Sequence, residues 1–241
     1  MRFLKKEWKG IIIASIILGF VFSFREWGPG STPNISTGIA NWIASFILVM
    51  IAYSLHNLAH KIIAAKHCAK SEFDLWRFNM KFFKPNSKPY LISIGPILAV
   101  VFALFSNGTI KFSALESQNI KSNIKERIGK KFKHIREIEI AYIALAGPIM
   151  SLFLALFFSI FNNPIFDKFI LINISIAIYS MIPIHNLDGS RIWIGSYFVY
   201  IFSVILIIAC TALINIMNVV GYILLSVLTL SILIILAKIK T

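Results

Sequence analysis

Two histidines at the end of a long apolar stretch are spaced as metal ligands would be. His56 and His60 stand four residues apart, and residues 54–60 read Ser-Leu-His-Asn-Leu-Ala-His. On a helix this spacing places both imidazoles on one face, about 6 Å apart along the axis. Two imidazoles in that arrangement can share one zinc ion at about 2.0–2.1 Å each. The alternative is two polar residues at a helix end, one reaching lipid headgroups and one meeting a neighbouring backbone.

A carboxylate far along the chain is the natural third ligand. Asp188 follows another apolar run, within Leu187-Asp188-Gly189. Charged groups are costly inside a membrane, so those embedded in apolar runs are candidates for function. The alternative is structural, because Asp-Gly is a turn dipeptide and Asp caps helices.

The composition shows what kind of protein must position these groups. Of 241 residues, 58% are hydrophobic and 14% charged, with a mean hydropathy of +0.80. Soluble domains are near half apolar and a quarter charged, so a soluble globule is excluded, as are disorder, collagen and coiled coil. Cys68 and Cys210 form no disulfide framework. The basic residues behind the net charge of +14 lie between the apolar runs, as they do in membrane proteins. This placement excludes nucleic acid as the partner. One polytopic membrane domain over 1–241 is expected.

Seven apolar runs define the expected helices, and one of them is unlike the rest. They cover about 10–24, 38–60, 90–106, 138–161, 169–185, 194–217 and 219–237. A helix needs about 20 residues to cross the hydrocarbon core, with about 17 as a lower bound. The run at 90–106 is short and is interrupted by Gly95-Pro96.

The positive charges decide how this short run is placed. Seven Lys and Arg residues precede it in 61–89, and eight follow it in 107–137. Were it to span, these groups would face opposite sides, against the positive-inside bias. If it is re-entrant or interfacial, 22 of the 24 basic residues fall on the cytoplasmic side. We therefore predict an all-α integral membrane protein of the cell membrane. It has six transmembrane helices, both termini cytoplasmic and a non-spanning insertion at about 67–136 between the second and third helices. This topology also brings Asp188 to the same side as His60.

Three motifs in order then resemble a known family. Residues 56–60 read His-Asn-Leu-Ala-His, residues 146–151 read Ala-Gly-Pro-Ile-Met-Ser, and Ser-Met-Ile-Pro at 180–183 precedes Leu-Asp-Gly at 187–189. Over about 38–195 the chain resembles the site-2 protease family of intramembrane zinc metalloproteases, particularly its compact archaeal and bacterial members. The resemblance implies one zinc ion held by His56, His60 and Asp188 with water in the fourth position. It also implies a membrane-embedded peptide or protein as substrate.

The chain departs from the family pattern where the chemistry occurs. The family's general base, a glutamate, is here Asn57, and an amide cannot accept the proton of a water. The asparagines that would contact substrate or oxyanion are Ser151 and Ser180. No replacement carboxylate is evident from the sequence. His185, three residues before Asp188, is the one titratable residue near the site that the family pattern lacks. It could act as a substitute base or fourth ligand.

Three functions remain open on these residues. The first is an intramembrane zinc metalloprotease, impaired because Asn57 replaces the general base. The second is a catalytically inactive zinc-binding homologue that binds transmembrane segments without cutting them. The third is a transporter or channel that uses the histidines and Asp188 to move protons or metal ions. The motif order and the absence of paired half-helix repeats argue against the third. The oligomeric state is not predictable from these features.

Overall fold

The computed structural model describes residues 3–28, 34–80, 90–123, 134–214, 216 and 219–239. Over those residues the chain forms eight helices and four short strands. The helices are α1 (Lys5–Ser23), α2 (Ile35–Lys66), α3 (Ile94–Phe105), α4 (Glu137–Ser159), α5 (Pro164–Ser180), α6 (Asp188–Gly195), α7 (Tyr197–Leu213) and α8 (Val219–Lys238). The strands are β1 (Ala69–Leu75), β2 (Arg77–Met80), β3 (Tyr90–Ser93) and β4 (Glu116–Ser122).

Three of the described helices are long and apolar enough to cross a membrane. They are α2, α4 and α8, whereas α3 and α7 are apolar but shorter. The mostly helical architecture and these three helices agree with a membrane-associated helical protein. The count of six spans and the cytoplasmic placement of both termini stay predictions.

Helix α4 lies at the centre of the helical bundle and is its most buried apolar helix. It packs against α2, α5, α6 and α8. Small residues face these contacts, among them the fully buried Ala144, Ala146 and Ala155 together with Gly147. Small side chains let helix backbones approach closely, which is how helices associate where lipid removes the usual hydrophobic driving force. The centre of the bundle is therefore built around α4.

The four strands lie within the predicted insertion and add β-structure to the helical fold. Strands β1 and β4 pair antiparallel, with Ala69 opposite Ser122 and Leu75 opposite Glu116. Strands β2 and β3 form a second antiparallel pair. The residues of β1 alternate between buried and more exposed, as expected for a strand with one face on the core.

Residues 94–115, which connect β3 to β4, form an excursion away from the strands. Both ends of this excursion are hydrogen-bonded to the backbone of one residue, Trp76. The carbonyl of Trp76 accepts from Gly95 N at 3.3 Å, and the N–H of Trp76 donates to the Leu115 carbonyl at 2.7 Å. A Cβ on Gly95 would lie 2.9 Å from Leu115 Cα, so only glycine permits this approach. The far end of the excursion reaches the end of α1, where a Cβ on Gly108 would lie 2.8 Å from the Phe24 ring. That the segment does not cross the bilayer stays a prediction.

Candidate metal centre

The two predicted histidines lie side by side on α2 and are oriented by α4. Both are fully buried, and their ring centroids are 4.8 Å apart. His60 Nδ1 is 2.7 Å from the carbonyl oxygen of Ile143. Because a carbonyl only accepts, Nδ1 carries a hydrogen, and Nε2 is the nitrogen that faces the two carboxylates. His56 Nδ1 lies 2.8 Å from Ser151 Oγ. Partners on the Nδ1 side are the usual way in which a protein aims Nε2 at a metal.

Asp188 is the first residue of α6 and faces both imidazoles. Its Oδ2 lies 3.4 Å from His60 Nε2 and 3.7 Å from His56 Nε2. The turn that delivers it requires the following glycine, because a Cβ on Gly189 would lie 2.2 Å from the carbonyl oxygen of Met181. The structure thus brings together the three residues that the sequence indicates as ligands.

A second carboxylate, which the sequence interpretation did not anticipate, completes the cluster. Glu116 begins β4 and is buried. Its Oε1 lies 2.7 Å from His56 Nε2 and 3.7 Å from His60 Nε2. Glu116 was not among the candidates that the sequence offered, and it is the strand pairing that carries it from the insertion to the histidines.

Asn57 lies between the histidines and contacts the second oxygen of Glu116. Its Nδ2 donates to Glu116 Oε2 at 3.0 Å and to the carbonyl of Tyr53 at 2.9 Å. Its Oδ1 accepts from Gln118 Nε2 at 2.6 Å. The side chain next to His56 is therefore an amide that holds a carboxylate supplied by another element.

The pKa of both carboxyls is lowered in this environment, which favours their ionised form. Burial opposes charge on Glu116, but the positive charge of a protonated His56 outweighs it and holds the pKa of that carboxyl well below its usual range. Burial likewise opposes charge on Asp188, where the positive charge of a protonated His60 lowers the pKa instead. Ionised oxygens are the form in which carboxylates bind metal ions.

The four side chains fit a metal ion in three respects. One ligand atom from each lies within 4.8 Å of the others, and all four residues are buried. The four nitrogen–oxygen separations, 2.7–3.7 Å, bracket the ~3.3 Å edge of a tetrahedron with bonds of 2.0–2.1 Å. Among the described residues, the four facing atoms have no hydrogen-bond partner beyond the ion-pair contacts with one another, although burial normally demands one: His56 Nε2, His60 Nε2, Glu116 Oε1 and Asp188 Oδ2.

A glycine on α4 keeps the space beside the imidazoles open. A Cβ on Gly147 would lie 2.1 Å from His60 Nε2 and 2.3 Å from His56 Nε2. No side chain fits at those distances, so the glycine of the Ala-Gly-Pro motif directly borders the cluster. Its absent side chain leaves space beside the two Nε2 atoms.

Two other predicted site residues lie outside this cluster. The hydroxyl of Ser180 donates to the Ala177 carbonyl of its own helix at 3.0 Å. The side chain of His185 is exposed and lines a separate cavity of about 420 Å³ with Trp193. Its carbonyl accepts from the indole N–H of Trp76 at 3.0 Å. His185 is not one of the four residues that could hold the ion.

No known protein family, curated protein or solved structure matches the chain. What the fold and the site define is a mostly helical, membrane-associated protein with a buried group of two histidines and two carboxylates that could hold a metal ion.

Proposed function

We propose that the chain is an intramembrane zinc metalloprotease-like protein that binds one zinc ion and acts on membrane-embedded peptides. The observation that carries this proposal is the convergence of His56, His60, Glu116 and Asp188 from three distant parts of the chain. Two imidazole nitrogens together with carboxylate oxygens favour zinc over magnesium or calcium, which prefer all-oxygen sites with more ligands. The three motifs in site-2 protease order support peptide hydrolysis as the reaction class.

Each residue of such a site would have a separate role. A bound zinc ion would polarise a peptide carbonyl and lower the pKa of a water molecule. His56, His60 and Asp188 would hold it, and Ser151 would orient the His56 ring through Nδ1. Asn57 cannot accept a proton, so we expect hydrolysis to be slower by about 10²–10⁴ than with a carboxylate base.

The proposed setting is the cell membrane, with six spanning helices, the lipid bilayer around them and both termini in the cytoplasm. The distribution of basic residues supports this placement, because 21 of 24 fall on one side of the predicted topology once Lys111, which lies over the Phe22 ring near the end of α1, is counted with Arg25 and Lys168. The metal centre would then lie near the cytoplasmic end of α2. A transmembrane segment of another protein is the expected partner.

A second candidate is an inactive homologue that holds zinc and binds transmembrane segments without cutting them. One observation favours it: Glu116 supplies a fourth ligand atom, whereas catalytic zinc sites keep one position open for water or substrate. A test must therefore measure metal binding and cleavage separately.

Metal analysis of the purified protein is the first measurement. We expect about one zinc ion per chain, lost in His56→Ala and in Asp188→Ala. His185→Ala is the matched control, because this exposed histidine lies outside the cluster and its variant should keep the metal. Zinc retained in both ligand variants would refute the assigned site.

Cleavage is the second measurement. The protein is reconstituted in vesicles with a labelled transmembrane peptide, and products are identified by mass spectrometry. Slow cleavage that is absent in His56→Ala supports the protease. Peptide binding with no cleavage in wild type supports the second candidate instead.

A further inference from the structure

The strongest unexplained feature of the site is a chain of hydrogen bonds that ends on Glu116. The hydroxyl of Ser71 donates to Gln118 Oε1 at 2.7 Å, and Gln118 Nε2 donates to Asn57 Oδ1 at 2.6 Å. Asn57 Nδ2 then donates to Glu116 Oε2 at 3.0 Å. Each amide therefore has its orientation set by the preceding residue, and the nitrogen of Asn57 must point at the carboxylate.

This chain leaves only one oxygen of Glu116 free, and that oxygen faces the imidazoles. Oε2 is held by Asn57, while Oε1 is 2.7 Å from His56 Nε2 and has no described partner other than the imidazoles. At that separation no water molecule fits between Oε1 and the imidazole. The distances to the two histidines, 2.7 and 3.7 Å, lie on either side of the ~3.3 Å between neighbouring ligands of one ion, and they leave no place for a base acting through an intervening water.

The backbone that carries Glu116 is fixed as well. The carbonyl of the preceding residue, Leu115, accepts a hydrogen bond from the N–H of Trp76. The carbonyl of Ser113 accepts from the hydroxyl of Tyr53 on α2 at 2.6 Å. Phe112 packs on Tyr179 of α5 with ring centroids 5.1 Å apart. The returning stretch of the excursion thus lies between α2 and α5, beside the histidines that Glu116 faces.

We propose that Glu116 is the fourth metal ligand, that it closes the coordination sphere, and that Asn57 is its positioning residue. The inference rests on the proposed metal centre but not on peptide hydrolysis. The excursion brings Glu116 into the place where the site-2 protease pattern has a water. Two carboxylates and two neutral imidazoles around a divalent ion also sum to zero charge, which a fully buried site requires far more than an exposed one.

Cobalt in place of zinc tests the closed coordination without any substrate. Co²⁺ has visible absorption that changes when an added anion such as azide becomes a ligand. If Glu116 closes the site, azide leaves the spectrum of the wild-type cobalt protein unchanged. Glu116→Gln opens one position, so azide should shift the spectrum of that variant. Glu72→Gln is the matched control, because this carboxylate lies on the paired strand and is partly exposed near Lys121.

Metal affinity, measured by competition with a chelator, is the second readout. Glu116→Gln should weaken cobalt and zinc binding by about 100-fold or more, and Asn57→Leu by about 10- to 100-fold, the usual cost of losing a group that orients a ligand. Glu116→Asp keeps the carboxylate and should retain part of the affinity. Elution volume and helical content confirm that each variant is folded.

The outcomes separate this inference from the proposed function. A wild-type spectrum that azide shifts as much as it shifts Glu116→Gln overturns the assignment of Glu116 as a ligand. Unchanged affinity in Glu116→Gln overturns it too, and both results leave the proposed peptide chemistry standing. An azide-insensitive wild-type spectrum together with absent cleavage supports the closed centre and refutes the proposed hydrolysis alone.

Discussion

The contact between Asn57 and Glu116 predicts that the single substitution Asn57→Glu, which introduces the glutamate of the site-2 protease pattern, destabilises the protein. The amide donates to Glu116 Oε2 at 3.0 Å. In Asn57→Glu, the donor is replaced by a carboxylate oxygen facing a second buried carboxylate. In the double variant Asn57→Glu/Glu116→Gln, the new amide at position 116 could donate to the new carboxylate at position 57. The pair would be exchanged rather than broken.

The size of the expected destabilisation follows from the distance between the two carboxylates in Asn57→Glu. Two unit charges about 3 Å apart at an effective dielectric constant of about 20 repel by about 5 kcal/mol. One carboxyl would take up a proton rather than bear the whole cost, at about 1.4 kcal/mol for each unit of pKa shift. We therefore expect Asn57→Glu to lose about 2–3 kcal/mol of stability, a drop of about 5–10 °C in Tm for a chain of this length. The exchange variant should recover most of that loss.

The assay is a double-mutant cycle of thermal unfolding in detergent with the metal chelated, so that ligand loss does not enter. Wild type, the two single variants and the exchange variant are compared. Asn57→Leu serves as a control, because it removes the hydrogen bonds without adding charge and should gain nothing from Glu116→Gln. Additive effects of the two substitutions, with no recovery in the exchange variant, would refute the contact on which this reasoning depends.

Three further variants test the rest of the site. Gly147→Ala should abolish zinc binding while helical content is retained, because its Cβ would lie 2.1 and 2.3 Å from the two Nε2 atoms; metal analysis and circular dichroism measure both. Ser151→Ala should weaken zinc binding by about 10- to 100-fold through the lost contact with a ligand ring. Ser180→Ala, whose hydroxyl bonds only within its own helix turn, should not weaken it, and equal effects in chelator competition would contradict this distinction. Tyr53→Phe removes the bond to the Ser113 carbonyl and should cost about 1–2 kcal/mol in thermal unfolding, with an unchanged Tm as the contrary result.

Much of the helical fold could be read from the apolar runs, but their boundaries could not. The run at 38–60 corresponds to α2, which extends from Ile35 to Lys66 because Asn34 caps its start. The run at 194–217 contains a break that hydropathy does not show. There Ser196 has extended backbone dihedrals, ends α6 and caps α7 with its hydroxyl. Hydropathy reports burial in lipid or protein, whereas helix ends depend on local capping chemistry.

The strands of the insertion were harder to predict. Residues 69–75 alternate in burial with the period of a strand. That stretch lies among lysines, however, and its partner β4 follows more than 40 residues later in the chain. Pairing at such separation is determined by tertiary contacts, which no local pattern of residue types encodes.

His56, His60 and Asp188 could be predicted as a group because their motif spacing and the charge topology agree. Glu116 could not be found in this way, since it belongs to no motif and reaches the site only through strand pairing.

The charge balance of the site was nevertheless a usable signal. A divalent ion with two neutral imidazoles and one carboxylate carries a net positive charge, which is costly to bury unpaired. Asn57, beside the first histidine, is neutral and supplies no second negative charge. A buried centre with an amide at that position therefore needs a carboxylate from elsewhere. The centre is buried, and Glu116, to which Asn57 donates, is the carboxylate in place to supply that charge. We therefore expect the exchange of the two groups between positions 57 and 116 to be better tolerated than a second carboxylate at position 57 alone.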